Sequence, residues 1–453
     1  MTARPRYFGT DGIRAPFGTF PLDEPTVTAL GYHLGRRLGG AGARVVLGGD
    51  TRSSTPELGH WLVRGLQAAG ARWEWLGVVP TPAVAFETVA TGSDAGIAVS
   101  ASHNLFPDNG LKLFDRRGLK WAPAAEADLE KALAAGAPPE LPDVEPTKDA
   151  AGIRRYLDHL LAGLPERCLA GATVVLDGAH GATAPFAPDL FGRLGADVHA
   201  IGVEPDGTNI NRDCGSTSPA ALEAAVRTTG ADFGFGFDGD GDRCLLVDET
   251  GTARDGDALL YRWALELAAE GRLEPRAIVA TSMSNLGLEQ ALVPHGVEVV
   301  RCGVGDREVA ATMRERGIVL GGEQSGHLVC SHFSTTGDGL LTALRLAELL
   351  RRDGRPVARQ LAPFRRFPQV LENVRVRVKT PFDDLPDVRA AVHAVQAELG
   401  DAGRLVLRYS GTEPLARIML EGPEEGLLRE WAERIAGAIR AGQPASPVEE
   451  AAG

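Results

Sequence analysis

Cysteine is scarce in this 453-residue chain: five in all, Cys168, Cys214, Cys244, Cys302 and Cys330. They are odd in number and scattered, and no two have CxxC spacing. That argues against a disulfide framework and a cysteine zinc site, and for a reducing compartment. Positive charge is also short. Forty-seven Lys and Arg against 60 Asp and Glu leave a formal net charge of −13. Such a surface repels nucleic acid, so no nucleic-acid partner is expected; a phosphorylated substrate would need a local basic pocket. Long apolar runs are missing too. None reaches the about 18 residues of a membrane span, and "MTARPRYFGTDGIRA" lacks the apolar core of a signal peptide. The expectation is a cytoplasmic protein without a membrane partner.

What is present is an ordinary globular composition, 44% hydrophobic and 24% charged, in a chain long enough for several domains. The pattern repeats three times. "ARVVLGGDTR", "RWEWLGVVPTPA" and "AGIAVSASHN" form one set of apolar runs that end in polar residues. "ATVVLDGAHGAT", "GADVHAIGVEPDGT" and "ADFGFGFDGDGDR" form a second. "RAIVATSMSN", "GVEVVRCGVGDR" and "GIVLGGEQSGH" form a third. Short apolar runs alternating with helical patterns predict α/β domains with mainly parallel sheets. Ligands gather beyond the carboxyl ends of such strands, so the three terminal loops are expected to face one cleft. Helices are expected over residues 258–271 and 340–352. From about Phe367, "VLENVRVRV" alternates like a strand and "LREWAERIAGAIRAG" has helical spacing, which predicts a small α+β domain. The expected domains are 1–150, 151–255, 256–366 and 367–453: three similar mixed α/β domains plus a C-terminal α+β domain.

Five stretches carry chemistry. In "FDGDGDRC", Asp238, Asp240 and Asp242 alternate with glycines. In an extended chain they would project to one side, and three clustered carboxylates call for a hard divalent cation, Mg²⁺ or Ca²⁺; a solvated acidic turn is the alternative. An EF-hand is excluded because Arg243 stands where the loop needs glycine and "CLLVDE" reads as a strand. In "GGEQSGH", Glu323 and Ser325 can grip neighbouring sugar hydroxyls and His327 can move protons; a plain β-turn explains the same residues. In "RYSGTEPLAR", Arg408, Ser410, Gly411, Thr412 and Arg417 suit a phosphate, with Pro414 as the first residue of a helix; a capped turn is the alternative. "FGTDGIRA" offers Thr10 and Asp11, with Arg14 following, as a weaker anion contact or an exposed strand end.

The fifth stretch is "VSASHNLFPDNGLKLF", residues 99–114. No Gly-x-Ser-x-Gly elbow surrounds Ser100 or Ser102, and a serine without a base is a poor nucleophile. A serine that carries phosphate fits better, with a carboxylate-bound cation offsetting its charge and Lys112 and His103 adding positive charge. Spacing does not choose between the two serines.

Taken in order, "SASHN…DNGLK", "DGDGDR", "GGEQSGH" and "RYSGTEP" resemble the α-D-phosphohexomutase superfamily, over nearly the whole chain. "FGTDGIRA", "INRDCGST", "VGDR" and Gln324 resemble its phosphoglucosamine mutase branch. The resemblance implies four domains around a central cleft and phosphorylation on Ser102. It implies one Mg²⁺ on Asp238, Asp240, Asp242 and phospho-Ser102, with Glu323 and Ser325 on the sugar. Arg408, Ser410, Gly411, Thr412 and Arg417 would hold the non-reacting phosphate. Arg14, Lys112, Arg243, His103 and His327 would line the reacting centre, Lys112 and His327 as proton-transfer candidates. The implied reaction interconverts glucosamine 6-phosphate and glucosamine 1-phosphate through glucosamine 1,6-bisphosphate, ahead of UDP-N-acetylglucosamine and cell-wall synthesis. A phosphomannomutase or phosphoglucomutase of the same superfamily is the alternative. The partner is a small sugar phosphate, and the chain a monomer or homodimer. Leu105 replaces the proline common after Ser-His-Asn in the family, and His180 stands where the family often has asparagine.

Overall fold

A computed structural model describes residues 7–9, 11–136, 138, 140–410 and 414–442. The chain divides into two compact units. One comprises Met1–Thr281 with Val297–Ala362, the other Ser282–Gly296 with Pro363–Gly453.

The first unit is built on three sheets. The first holds β1 (Ile13–Pro16), β2 (Arg44–Gly49), β3 (Arg72–Val78), β4 (Ala95–Val99) and β5 (Asp108–Asp115), in the order β1-β5-β4-β2-β3. The second holds β6 (Thr173–Asp177), β7 (Asp197–Ile201), β8 (Phe233–Phe237), β9 (Cys244–Asp248) and β10 (Ala253–Arg254), in the order β10-β9-β8-β6-β7. The third holds β11 (Ala277–Thr281), β12 (Glu298–Cys302), β13 (Leu320–Gly322) and β14 (Leu328–Cys330), in the order β12-β11-β13-β14.

The threefold repeat is visible in the pairing. β2, β6 and β11 are each flanked by two parallel strands, and β5, β9 and β14 each run antiparallel to the last of them. The strands β4 "AGIAV" and β8 "FGFGF" are buried at every residue, as strands covered by helices on both faces must be. Each polar loop of interest therefore joins a parallel strand to its antiparallel neighbour: β4 to β5, β8 to β9, and β13 to β14.

The expected helices are found over Gly256–Ala269 and Gly339–Asp353. Asp338 caps the second, accepting from the Leu341 N–H at 2.9 Å, which satisfies one of the donors a helix start leaves open. No helix among the described residues is long and apolar enough to cross a membrane.

The second unit contains a three-stranded antiparallel sheet of β15 (Gln369–Arg375), β16 (Arg404–Tyr409) and β17 (Leu415–Glu421), in the order β15-β17-β16. Its core joins Ala416, Ile418 and Leu420 of the central strand to Trp431, Ile435 and Ile439 of the helix Glu425–Ala441. Pro414 precedes a strand rather than opening a helix. Alternate burial of Ala416, Ile418 and Leu420 between two pairing strands outweighs the helix-start signal, and a proline just before a strand costs no ladder hydrogen bond. The acidic C-terminal stretch "QPASPVEEAAG", residues 443–453, lies outside the described residues.

Candidate active site

The β4–β5 loop buries its two serines but uses them differently. Ser100 Oγ donates to Asp50 Oδ2 at 2.6 Å and accepts the Ser102 N–H at 2.9 Å. Its hydroxyl is thus committed to holding the loop. Ser102 Oγ donates to Asp238 Oδ2 at 2.7 Å and lies 3.4 Å from His103 Nδ1. Ser102 has a φ of +53°, a left-handed conformation that a non-glycine residue adopts only when its surroundings hold it there.

The three aspartates sit in a tight turn between β8 and β9, not in the extended chain expected. The Gly241 N–H closes the turn on the Asp238 carbonyl at 3.1 Å, with Gly241 at φ +69°. One carboxylate oxygen from each of Asp238, Asp240 and Asp242 lies within 4.8 Å of the others, and all three residues are buried. Gly239 lets this turn close on the serine loop, since a Cβ there would stand 2.6 Å from the Ser102 carbonyl.

Lys112, from β5, reaches into the cluster. Its Nζ lies 2.7 Å from Asp240 Oδ2, 3.0 Å from Asp242 Oδ2 and 3.7 Å from Asp11 Oδ2. Burial opposes its charge, but Asp11, Asp240 and Asp242 hold its pKa well above the ordinary lysine value. It is an ammonium at any working pH. Asp242 is held low against burial by Lys112 and His327. Asp238 is driven well above the carboxylate range by burial and by its two neighbours.

A hard divalent cation fits these residues. Asp240 Oδ1 and Asp242 Oδ1 are buried with no hydrogen-bond partner among the described residues. The lysine's single positive charge leaves Asp238 unfavourably ionised. Oxygen donors of this kind suit Mg²⁺, and a cation would draw all three carboxylates into their ionised forms.

Arg14 on β1 donates from Nη2 to Asp11 Oδ2 at 2.6 Å. Asp11 also pairs with Lys120, which pairs in turn with Asp306 of the "VGDR" segment. Arg243 donates its backbone N–H to Asp238 Oδ1 at 3.1 Å and remains about one-fifth exposed. His103 departs from expectation. Burial, then Arg243 and Arg14, hold it down at about 4, so it is neutral and adds no positive charge.

Glu323 and Ser325 occupy the β13–β14 turn, where the Gly326 N–H reaches the Glu323 carbonyl at 3.0 Å. Ser325 is exposed and Glu323 half-buried; Glu323 Oε1 accepts the Gly305 N–H at 3.2 Å. His327 is buried, with Nδ1 3.7 Å from Asp242 Oδ1. Against burial, Asp242 and Asp306 pull its pKa upward. The Gly337 N–H, however, points at Nε2 from 3.2 Å and needs a lone pair there. In the neutral form of the ring this contact places the proton on Nδ1. Gly337 admits this contact because a Cβ would stand 2.4 Å from the ring. A cavity of about 270 Å³ lies beside His327 rather than over Ser102, lined by Lys120, Trp121, Asp306, Arg307 and Thr336 among others.

In the second unit, Arg408 and Arg417 are directly paired across β16 and β17. Ser410 is buried, its carbonyl accepting from Lys379 Nζ at 2.5 Å. Gly411 and Thr412 lie outside the described residues.

Sequence reasoning missed the groups that hold these loops. Arg52 and Asn211 grip the serine loop, Thr81 Oγ1 donates to Asp240 Oδ2 at 2.6 Å, and Lys120 bridges two carboxylates. Arg52 lies in "DTR", Asn211 in "INRD", Thr81 in "PTPA" and Lys120 in "GLKW", stretches that do not mark what they touch.

Family models for the phosphoglucomutase/phosphomannomutase domains match in succession: the first α/β/α domain over residues 5–139, the second over 154–251, the third over 255–367 and the C-terminal domain over 371–438. The chain belongs to the phosphoglucomutase/phosphomannomutase family. Within it, a phosphoglucosamine mutase of Pseudomonas syringae is 45% identical over 444 residues, covering 96% of this chain and 98% of the relative. One from Symbiobacterium thermophilum is 43% identical over 448 residues, covering 96% and 99%. A phosphoglucomutase/phosphomannomutase family protein of Burkholderia thailandensis, of known structure, superposes with a TM-score of 0.81 at 26% identity, covering 98% of each chain. The superfamily resemblance read from the motifs is borne out across all four family domains.

Proposed function

We propose that this family member is a phosphoglucosamine mutase, interconverting glucosamine 6-phosphate and glucosamine 1-phosphate through phospho-Ser102 and glucosamine 1,6-bisphosphate. The observation that carries the reading is the Ser102 hydroxyl on Asp238, 2.7 Å away, inside a buried three-aspartate cluster. Relatives of that name at 45% identity over nearly the whole length support the amino-sugar preference.

In the first half-reaction the P–O bond of phospho-Ser102 breaks as a free sugar hydroxyl takes the phosphoryl group. The hydroxyl's proton is made up on the departing serine oxygen. The bisphosphate turns around, and the phosphoryl group at its other end returns to Ser102. Mg²⁺ held by Asp238, Asp240, Asp242 and the phosphoserine would offset phosphoryl charge. Lys112 adds a fixed positive charge and a proton to share, and Arg14 and Arg243 add two more cations. His327 is the second proton-transfer candidate. Glu323 and Ser325 take the sugar hydroxyls; Arg408, Ser410, Gly411, Thr412 and Arg417 take the non-reacting phosphate. The site so read takes a small sugar phosphate, in a cytoplasmic monomer or homodimer that feeds UDP-N-acetylglucosamine and cell-wall synthesis.

Peptide mass spectrometry before and after adding a hexose 1,6-bisphosphate, with turnover on glucosamine, glucose and mannose phosphates, tests this. Phosphate on Ser102 and fastest turnover of glucosamine phosphate are expected. Faster turnover of glucose or mannose phosphate overturns the amino-sugar preference. Release of inorganic phosphate without isomerisation makes the protein a phosphatase, and binding without phosphorylation makes it a sensor.

A further inference from the structure

We propose that Arg52 is the positioning residue that fixes Ser102 for phosphoryl transfer; this rests on the reading that Ser102 carries the phosphoryl group. Arg52 follows β2 and is 1% exposed. A guanidinium has five N–H donors in a rigid fork, and here each has an acceptor. Nε reaches Asp50 Oδ2 at 2.8 Å. Nη1 reaches the carbonyls of Leu105 at 2.6 Å and Asp108 at 3.0 Å. Nη2 reaches those of Ser102 at 3.0 Å and Asn104 at 2.7 Å. Four acceptors are therefore main-chain oxygens of one seven-residue stretch, which wraps the planar head.

The same loop is gripped from the other side. Asn211 Nδ2 donates to the Ser102 carbonyl at 2.9 Å and to the Asn104 carbonyl at 3.0 Å. Asp50 links the clamp to the serine itself. Its Oδ2 accepts from both Arg52 Nε and Ser100 Oγ, and Ser100 Oγ accepts the Ser102 N–H. Arg52, Asp50, Ser100 and Ser102 are one continuous network around a residue in a left-handed conformation. The clamp holds carbonyl oxygens, so it works whatever the side chain at position 105. Leu105, more than half exposed, gives up the fixed φ of a proline in a loop held by its main chain.

Ser102 must give a phosphoryl group to one end of a sugar and receive one from the other. A misplacement of about 1 Å costs about a hundredfold in rate. Arg52→Lys keeps the positive charge beside Asp50 but loses the fork. The expected result is a folded protein with KM for glucosamine 6-phosphate within about twofold of wild type and kcat lower by about a hundredfold. Single-turnover transfer from pre-phosphorylated Ser102 should slow by the same factor per phosphorylated site. A role confined to folding lowers the thermal midpoint and the active fraction but leaves that per-site rate at the wild-type value, which would overturn the proposal. Asn211→Gly is the second variant. Glycine accepts the φ of +60° found there while removing the carboxamide, and a kcat reduced by about tenfold with KM unchanged is expected. It decides the matter if Arg52→Lys does not fold, and wild-type transfer in it overturns the proposal. Wild-type protein that takes no phosphate on Ser102 sinks the mutase reading itself. Phosphorylated wild type alongside fully active variants sinks only the role of Arg52.

Discussion

The β4–β5 loop and the β13–β14 turn occupy equivalent places in two repeated sheets, yet they are built in opposite ways. The first buries Ser102 and clamps its carbonyls from two sides. The second is a backbone turn, held by the Glu323 and Gly326 N–H groups and by the Gly256 N–H on the Gln324 carbonyl, with Ser325 in solvent. The chemistry proposed explains the contrast. A reacting oxygen has to be fixed, because only groups aligned in the transition state accelerate the step. Groups that grip the sugar must accept it in two orientations, so a turn with accessible side chains serves better than a clamped loop.

That contrast can be broken most directly at Ser102. Ser102→Ala should lose mutase turnover by on the order of a thousandfold or more while keeping its thermal midpoint; a folded, pure variant with full turnover in a coupled assay would end the argument. Next comes Asp240→Asn. Calorimetric titration with Mg²⁺ should show affinity weakened by about a hundredfold or more, because one of the charges that attracts a hard cation is gone. Unchanged Mg²⁺ affinity would remove the aspartate cluster from consideration. Glu323→Gln is expected to act mainly on KM, raising it about tenfold with a smaller change in kcat, the pattern of a group that binds ground and transition states alike. Equal loss in kcat would mean that the turn is as tightly coupled to the chemistry as the serine loop.

The smallest effect lies away from both loops and is one of stability. Burial and the adjacent Asp149 raise the Glu74 pKa to about 7. The folded state binds this proton more tightly than the unfolded state. Stability from the group is therefore full below the unfolded value, near 4.5, and is lost as pH rises toward 7. Glu74→Gln should accordingly raise stability at pH 8 by about 1 kcal/mol and leave it nearly unchanged at pH 4.5. Denaturant titration at the two pH values checks this, and an equal shift at both would assign the effect to packing.

The repeat and the aspartate cluster were legible because each is local: three runs ending in polar loops, three carboxylates in five residues. Arg52 was not. Four of its five acceptors lie about fifty residues away and are main-chain oxygens, which leave no mark on residue identity. The choice between Ser100 and Ser102 depended on Asp50 and Asp238, one long-range partner each. Pro414 was misread because a proline before an apolar run opens strands as well as helices. His103 looked cationic beside a phosphate loop, but burial, and after it the charges of Arg243 and Arg14, keep it neutral.

The second unit is not a simple C-terminal appendage. Its segment Ser282–Gly296 is reached before the chain goes back to complete the first unit. Asn285 there exchanges hydrogen bonds with the Phe367 backbone, Nδ2 to the carbonyl at 3.0 Å and the Phe367 N–H to Oδ1 at 2.9 Å. Anyone building a hybrid enzyme from two relatives has to move both pieces together. A chain cut at Ala362 would keep a stranded fifteen-residue insert whose buried Leu288 and Leu292 had lost their company, and the graft with a clean seam is the one that carries Ser282–Gly296 along with everything after Pro363.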